Sequence, residues 1–206
     1  MSQFFEIHPD NPQRRLIHQA VEIIRQGGVI VYPTDSSYAL GCQIDDKAAL
    51  ERLARIRQVS KRHDFTLLCR DLSEISTYAK VDNKAYRLMK SLTPGPYTFI
   101  FKATREVPKR LWNPKRKSIG IRVPDNAIVQ ALLADLNEPL MSSTLILPDE
   151  DRPLNDASAI REILEHHVDL VIDGGPCSVE PTTVLDLSEG DVQIRRQGLG
   201  PTDAVT

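Results

Sequence analysis

The chain has 206 residues, 41% of them hydrophobic, and a formal net charge of −2. That length and apolar content suit one sizeable core in a single domain spanning 1–206, of the α/β or α+β kind. With no apolar run of about eighteen residues, no basic-then-apolar leader and only three scattered cysteines, Cys42, Cys69 and Cys177, the expectation is a reduced, soluble, cytoplasmic protein without a zinc site, disulfide framework or membrane span.

In chain order, "DNPQRRLIHQAVEIIRQGG" predicts a helix capped by Asn11, with Pro12 in its first turn and Leu16, Ile17, Ala20, Val21 and Ile24 as its apolar stripe. Gly27 and Gly28 end it, and the strand "VIVY" follows. "DDKAALERLARIR" predicts a second helix, "FTLLCR" a strand, and "DNKAYRLMKSL" a third helix. "TFIFKAT" and "SIGIRVP" read as strands, and "NAIVQALLADL" as a helix capped by Asn126. "PLMSSTLIL" is a strand, "DASAIREILEHH" a helix and "DLVIDGG" a strand, while "TTVLDLS" and "VQIRRQ" form a closing pair hinged at "EGD". Helices and strands mix throughout, so the expected fold is one α/β domain with a twisted, mixed sheet flanked by helices.

Charge is segregated along this frame. Five basic and no acidic residues lie between Arg52 and Arg62, and eight basic residues face one acid between Lys102 and Arg122. Twelve acids face two arginines between Asp149 and Asp191. Such a dipolar chain can attract polyanions without a basic isoelectric point, although solvated faces account for each run taken alone.

Several strand ends carry groups that packing does not need. "YPTDSSY" follows the first strand, "MSSTL" sets Ser142, Ser143 and Thr144 inside an apolar strand, "IDGG" ends another, "EPTTV" brings Thr182 and Thr183, and "IRRQG" ends the last strand with Arg195 and Arg196. Hydroxyls and glycine-exposed N–H groups make an anion cradle, with arginines supplying charge. Each stretch also has a plain reading, because "PTDS" is a good turn by itself.

Taken in order, "GGVIVYPTDSSYALGC", "TPGPYTFIF", "IGIRVPDN", "PLMSSTLIL", "VIDGG", "PTTVLDL" and "IRRQG" resemble the YrdC/YciO family of threonylcarbamoyl-AMP synthase-like proteins, in its YciO branch, over nearly the whole chain. The resemblance implies a concave, basic cavity and binding of nucleotide, ATP or AMP, and of double-stranded RNA or tRNA. It also implies chemistry in which L-threonine, bicarbonate and ATP, with magnesium on the phosphates, give threonylcarbamoyl-AMP and pyrophosphate for modification of a tRNA adenosine. It places Arg57, Ser143, Thr144 and Arg196 at the nucleotide, and Thr34, Tyr38 and Thr183 at the substrate. Lys61, Arg62, Lys115, Arg116 and Lys117 are placed at RNA. No side-chain nucleophile is required, because a carbamate attacks the α-phosphate and catalysis is positioning and charge neutralisation. Two stretches depart from the synthase pattern: Arg57-Gln58-Val59 replaces Lys-x-Arg, and Thr144-Leu145-Ile146 replaces Ser-Ala-Asn. Weak or altered adenylate chemistry, or RNA binding without catalysis, is therefore expected.

Overall fold

The computed structural model describes residues 1–59 and 65–205. In chain order the elements are β1 (Gln3–Glu6), α1 (Arg14–Arg25), β2 (Ile30–Tyr32), β3 (Ala39–Gln43), α2 (Lys47–Arg57), β4 (Thr66–Leu68), α3 (Leu72–Tyr78), α4 (Asn83–Leu92), β5 (Tyr97–Lys102), β6 (Ser118–Arg122), α5 (Ala127–Leu136), β7 (Leu140–Thr144), α6 (Ala157–Leu164), β8 (Leu170–Asp173), β9 (Thr183–Asp186) and β10 (Gln193–Arg196). The strands join into one mixed sheet in the order β1-β8-β2-β3-β7-β4-β6-β5-β9-β10, as the mixture of elements in the sequence predicts.

Five helices start on a side-chain cap. Asp46, Asp71, Asp82, Asn126 and Asp156 each accept a backbone N–H from the first turn, satisfying donors that the helix itself leaves free. The expected cap of α1 is corrected: the helix begins after Gln13 without a side-chain cap, while the Asn11 amide donates to His8 Nδ1. Three elements escaped the sequence reading. β3 is short and contains Gly41, β1 has only four residues, and α3, "LSEISTY", is rich in Ser, Thr and β-branched residues that weaken helical propensity. The strand expected over 139–147 stops at Thr144, so Leu145, Ile146 and Leu147 lie beyond it.

Alternation along the strands sorts side chains to two faces. One face gathers Val31, Leu67, Phe99, Phe101, Ile121, Met141 and Leu185 with the buried sides of α2, α3, α4 and α6. The other gathers Ile30, Tyr32, Leu68, Leu140 and Leu170 with α1 and α5. Among the described residues, no side chain of β5, β6, β9 or β10 joins this second cluster. Helical cover on that face therefore ends near β4.

Candidate functional site

Where the cover ends, the same strands change character. On β6 the positions pointing to the uncovered face are Ser118, Gly120 and Arg122, whereas Ile119 and Ile121 go to the core. Gly120 lies between Thr66 of β4 and Ile100 of β5, and Thr66 lies opposite Ser142 of β7. Thr98 of β5 pairs with Val184 of β9. These residues form the floor of a cavity of about 330 Å3. A Cβ on Gly120 would sit 3.0 Å from Thr66 Oγ1 and 3.3 Å from Thr98 Cγ2, so the missing side chain keeps the floor low.

Four arginines line this cavity, Arg57, Arg116, Arg122 and Arg196, and no carboxylate lines it among the described residues. Arg57 comes from the last turn of α2 and donates Nη1–H to the Ile146 carbonyl at 3.0 Å. Arg196 arrives through a β-bulge: Ile194 pairs with Leu185, but Arg196 pairs with Val184, and Val184 faces the cavity. Its guanidinium donates to the Thr182 carbonyl at 3.0 Å and to Thr182 Oγ1 at 3.3 Å. Thr182 Oγ1 in turn shares a hydrogen bond of 2.8 Å with Thr98 Oγ1.

Arg122 is buried, and its charge is matched from one side. Its Nη2 donates to Asp35 Oδ1 at 2.5 Å and to Ser36 Oγ at 3.3 Å, while Asp35 Oδ2 accepts the Asp125 amide at 2.8 Å. Burial holds the Arg122 guanidinium below the usual arginine range, against the pull of Asp35. Burial lowers Arg57 likewise, and lowers Arg196 with a further contribution from the Arg122 charge. The buried Nε–H groups of Arg57 and Arg122 meet no acceptor among the described residues. Like-charged, partly desolvated guanidiniums beside spare donors favour a multiply charged anion. Ile100, Ile146 and Val184 add an apolar wall.

Of the residues singled out in the sequence, Arg57, Ser143, Thr144, Arg196 and Arg116 line the cavity. Thr34, Tyr38 and Thr183 do not. The Thr34 hydroxyl donates to the Ser37 carbonyl at 2.6 Å and accepts the Ser36 amide, so it holds its own turn. The Tyr38 hydroxyl donates to the Gly175 carbonyl at 2.6 Å and accepts from the Gly174 amide at 3.3 Å, fastening the segment after β2 to the end of β8. Burial raises that phenol well above its usual range. Thr183 donates to the Gly200 carbonyl at 2.6 Å and accepts the Gly198 amide; its neighbour Thr182 takes the cavity side. Lys115 and Lys117 are exposed beside Arg116. Lys61 and Arg62 lie outside the described residues.

Sequence reasoning passed over Arg122 and Thr66 as site residues, and it noted the strand-end hydroxyls of Thr98, Ser142 and Thr182 without giving them a role. The alternation in "SIGIR" carried the signal for Arg122: isoleucines at every second place, with Ser, Gly and Arg between them. Asp35 was read within "PTDSSY" as a turn or as cavity floor, and its partner Arg122 is 87 residues away.

Comparison with known proteins places these features in a family. The family described as "Telomere recombination", Sua5/YciO/YrdC, matches residues 22–198. The chain is 60% identical to "Uncharacterized protein YciO" of Escherichia coli K12 over 97% of both chains. The crystal structure of E. coli YciO superposes with a TM-score of 0.96 at 59% identity, covering all of both chains. A protein named "Threonylcarbamoyl-AMP synthase" from Coxiella burnetii is 30% identical over 85% of this chain and 95% of its own length.

Proposed function

This chain belongs to the Sua5/YciO/YrdC family, and we propose that its cavity binds an adenine nucleotide, ATP or AMP, and carries out threonylcarbamoyl-adenylate chemistry in a weak or altered form. The observation that supports this reading is the convergence of Arg57, Arg116, Arg122 and Arg196 on one cavity that no carboxylate lines among the described residues. A polyphosphate brings the matching charge, and the strip of Ile100, Ile146 and Val184 gives a base or a carbamoyl group a dry wall. The relationship to the C. burnetii synthase supplies the reaction class.

In this reading the carbamate of L-threonine attacks the α-phosphate of ATP, a phosphorus–oxygen bond to the carbamate forms, and pyrophosphate leaves. The chain contributes position and charge: Arg57, Arg122 and Arg196 neutralise the phosphates, and Ser143 and Thr144 donate from the end of β7. Magnesium accompanies ATP as part of the substrate, because a cavity without carboxylates suits an ion held by phosphate oxygens and water. Val59 and Ile146 remove two polar contacts that the synthase pattern supplies, each about 1.5–3 kcal/mol when charge-assisted, and so hold the forward reaction down. Hydrolysis of the adenylate uses the same contacts: water attacks the α-phosphate, the phosphorus–oxygen bond to the carbamate breaks, and AMP and the carbamate of L-threonine leave. Duplex RNA or tRNA is proposed as the macromolecular partner at the rim, where exposed Lys115 and Lys117 flank Arg116.

The test is nucleotide binding followed by turnover. Mg-ATP or AMP is expected to raise the melting temperature by mass action. Threonine-dependent pyrophosphate release is expected to be slow and to rise in the variant Arg57→Lys, Val59→Arg, Leu145→Ala, Ile146→Asn. A melting curve unmoved by saturating nucleotide would remove the nucleotide from the reading.

A further inference from the structure

One hydroxyl on the cavity floor is tied to the covered end of the sheet. Ser142 of β7 lines the cavity and is buried. Its Oγ shares a hydrogen bond of 2.5 Å with the hydroxyl of Tyr32, two strands away on β2. A glycine makes that reach possible. Gly41 of β3 lies directly opposite Ser142, and a Cβ there would sit 2.6 Å from Tyr32 Cε1. The ring therefore crosses β3 over the bare backbone of Gly41 and ends at Ser142.

The direction of the bond follows from what each hydroxyl has left. Tyr32 is fully buried, with its ring in the apolar cluster of Ile30, Leu68 and Leu140. Among the described residues its hydroxyl meets no partner but Ser142. Burial raises the phenol well above its usual range, so it keeps its proton at neutral pH. If Ser142 donated to Tyr32, the phenolic hydrogen would be buried without an acceptor, which is the costlier arrangement. Tyr32 therefore donates, and the Ser142 hydrogen is left for the cavity side. The hydroxyls of Thr98 and Thr182 differ: both line the cavity, so the bond between them can run either way.

We propose that Ser142 is a fixed hydrogen-bond donor to a phosphate oxygen on the cavity floor, and that Tyr32 is the positioning residue that commits it to donating. The proposal rests on the nucleotide reading of the cavity. Thr66, beside Ser142 on β4, has no side-chain partner among the described residues and adds a second hydroxyl. Arg122, on the same face of β6 as Gly120, supplies charge. Four guanidiniums line the cavity, so a multiply charged anion fits it better than a single carboxylate. An ammonium group, such as that of L-threonine, would set donor against donor at Ser142 and is turned away from this corner.

The test is calorimetric titration of sodium pyrophosphate and of Mg-ATP into the parent, Tyr32→Phe, Ser142→Ala and the double variant, with melting curves alongside. Ser142→Ala strands the buried phenol and should melt early, whereas the double variant removes both partners and should recover. Both are expected to bind either ligand about tenfold or more weakly than the parent, because a donor to a charged oxygen is lost. Tyr32→Phe keeps the Ser142 hydroxyl but not its commitment. It should weaken binding by a smaller factor, and have no further effect once Ser142 is alanine. A purely structural Tyr32 would not produce that non-additivity in affinity. Tyr32→Phe at the parent's affinity overturns the positioning role. A folded double variant that binds Mg-ATP as tightly as the parent overturns the proposal and leaves the nucleotide reading standing. Pyrophosphate binding that depends on Ser142, with no binding of Mg-ATP, upholds the donor and removes the nucleotide reading. A parent that binds neither ligand overturns both.

Discussion

One face of the sheet has two ends that differ in what stands above them. At the covered end Tyr32, Leu68, Leu140 and Leu170 lie under α1 and α5 and are buried. At the open end Thr66, Gly120, Ser142 and Thr182 look into the arginine-lined cavity. The boundary runs within single strands: Leu68 and Thr66 are two residues apart on β4, as are Leu140 and Ser142 on β7. Even Tyr32 straddles it, with its ring in the apolar cluster and its hydroxyl 2.5 Å from Ser142 Oγ. The backbone is the same on both sides, so side-chain chemistry alone decides whether a helix covers the sheet or a polar cavity stays open above it. Where apolar groups persist, burying them stabilises a helix above. Where hydroxyls, glycine and arginine take over, covering them would bury polar groups without partners.

The contrast is broken most severely at the Asp35–Arg122 charge pair, buried under the open end. Asp35→Ala removes the partner of Arg122 and leaves a buried guanidinium uncompensated, both side chains being under a tenth exposed. The expected loss of folding stability is about 3–5 kcal/mol, measured by urea denaturation. Exchanging both residues for apolar ones of similar volume should recover much of that loss, because the large cost belongs to the unpaired charge. If Asp35→Ala unfolds at the parent's urea midpoint, the pair contributes nothing and Arg122 is solvated.

A matched pair of substitutions then sharpens the difference between the ends. Leu132→Ala on α5, at the covered end, opens a void in the second cluster and should cost about 2–5 kcal/mol of stability. It should leave the affinity for Mg-ATP where it was. Arg196→Ala, at the open end, should do the reverse: little change in melting temperature, and nucleotide affinity weaker by about 1.5–3 kcal/mol, one to two decades in a calorimetric titration. Equal effects of both variants on both readouts would mean that the two ends act as one unit.

The same boundary explains what the sequence disclosed. Long helices with one apolar stripe and the Asn126 cap were legible because their signals are local, and so was the closing pair β9–β10. Arg57 and Arg196, which line the cavity, came from the family resemblance, and Arg196 also from the charge at the end of the last strand. Two features were not local. Choosing Thr183 over Thr182 is a matter of strand phase, and one residue's error exchanges the cavity for the core. Thr34 looked ready for a ligand because its hydroxyl's partners, the Ser36 amide and Ser37 carbonyl, belong to the backbone, which a sequence shows as no signal at all. Asp35 and Arg122 required tertiary structure, since neither sequence neighbourhood points to the other.

The smallest expected effect lies at the rim of the open end, where charge is held in place by Asp186. Its carboxylate is 3% exposed and receives Arg195 Nε and Nη2 at 3.0 and 2.9 Å and the Ser188 hydroxyl at 2.6 Å, with Arg116 at 3.5 Å. Burial pushes the carboxyl up, but the Ser188 and Arg195 contacts outweigh it, and the group titrates below the ordinary aspartate range. A carboxyl lowered by folding stabilises the native state above its unfolded pKa of about 3.9, and that contribution disappears as the pH falls through the lower native value. Stability measured from about pH 7 down to about pH 2 should therefore show a shallower acid limb in Asp186→Asn than in the parent, with the curves converging at the acid end. Because Arg195 and Arg116 are 42% and 52% exposed, solvent screens both pairs, and added salt should shrink the difference further. Arg116 is the rim cation of the cavity, so the same variant should also weaken nucleotide binding slightly if Asp186 holds that guanidinium in place. Parallel acid limbs in parent and variant, at low as well as high salt, would mean that the Asp186 charge does not stabilise the rim, leaving the backbone turn at 113–117 to position Arg116 alone.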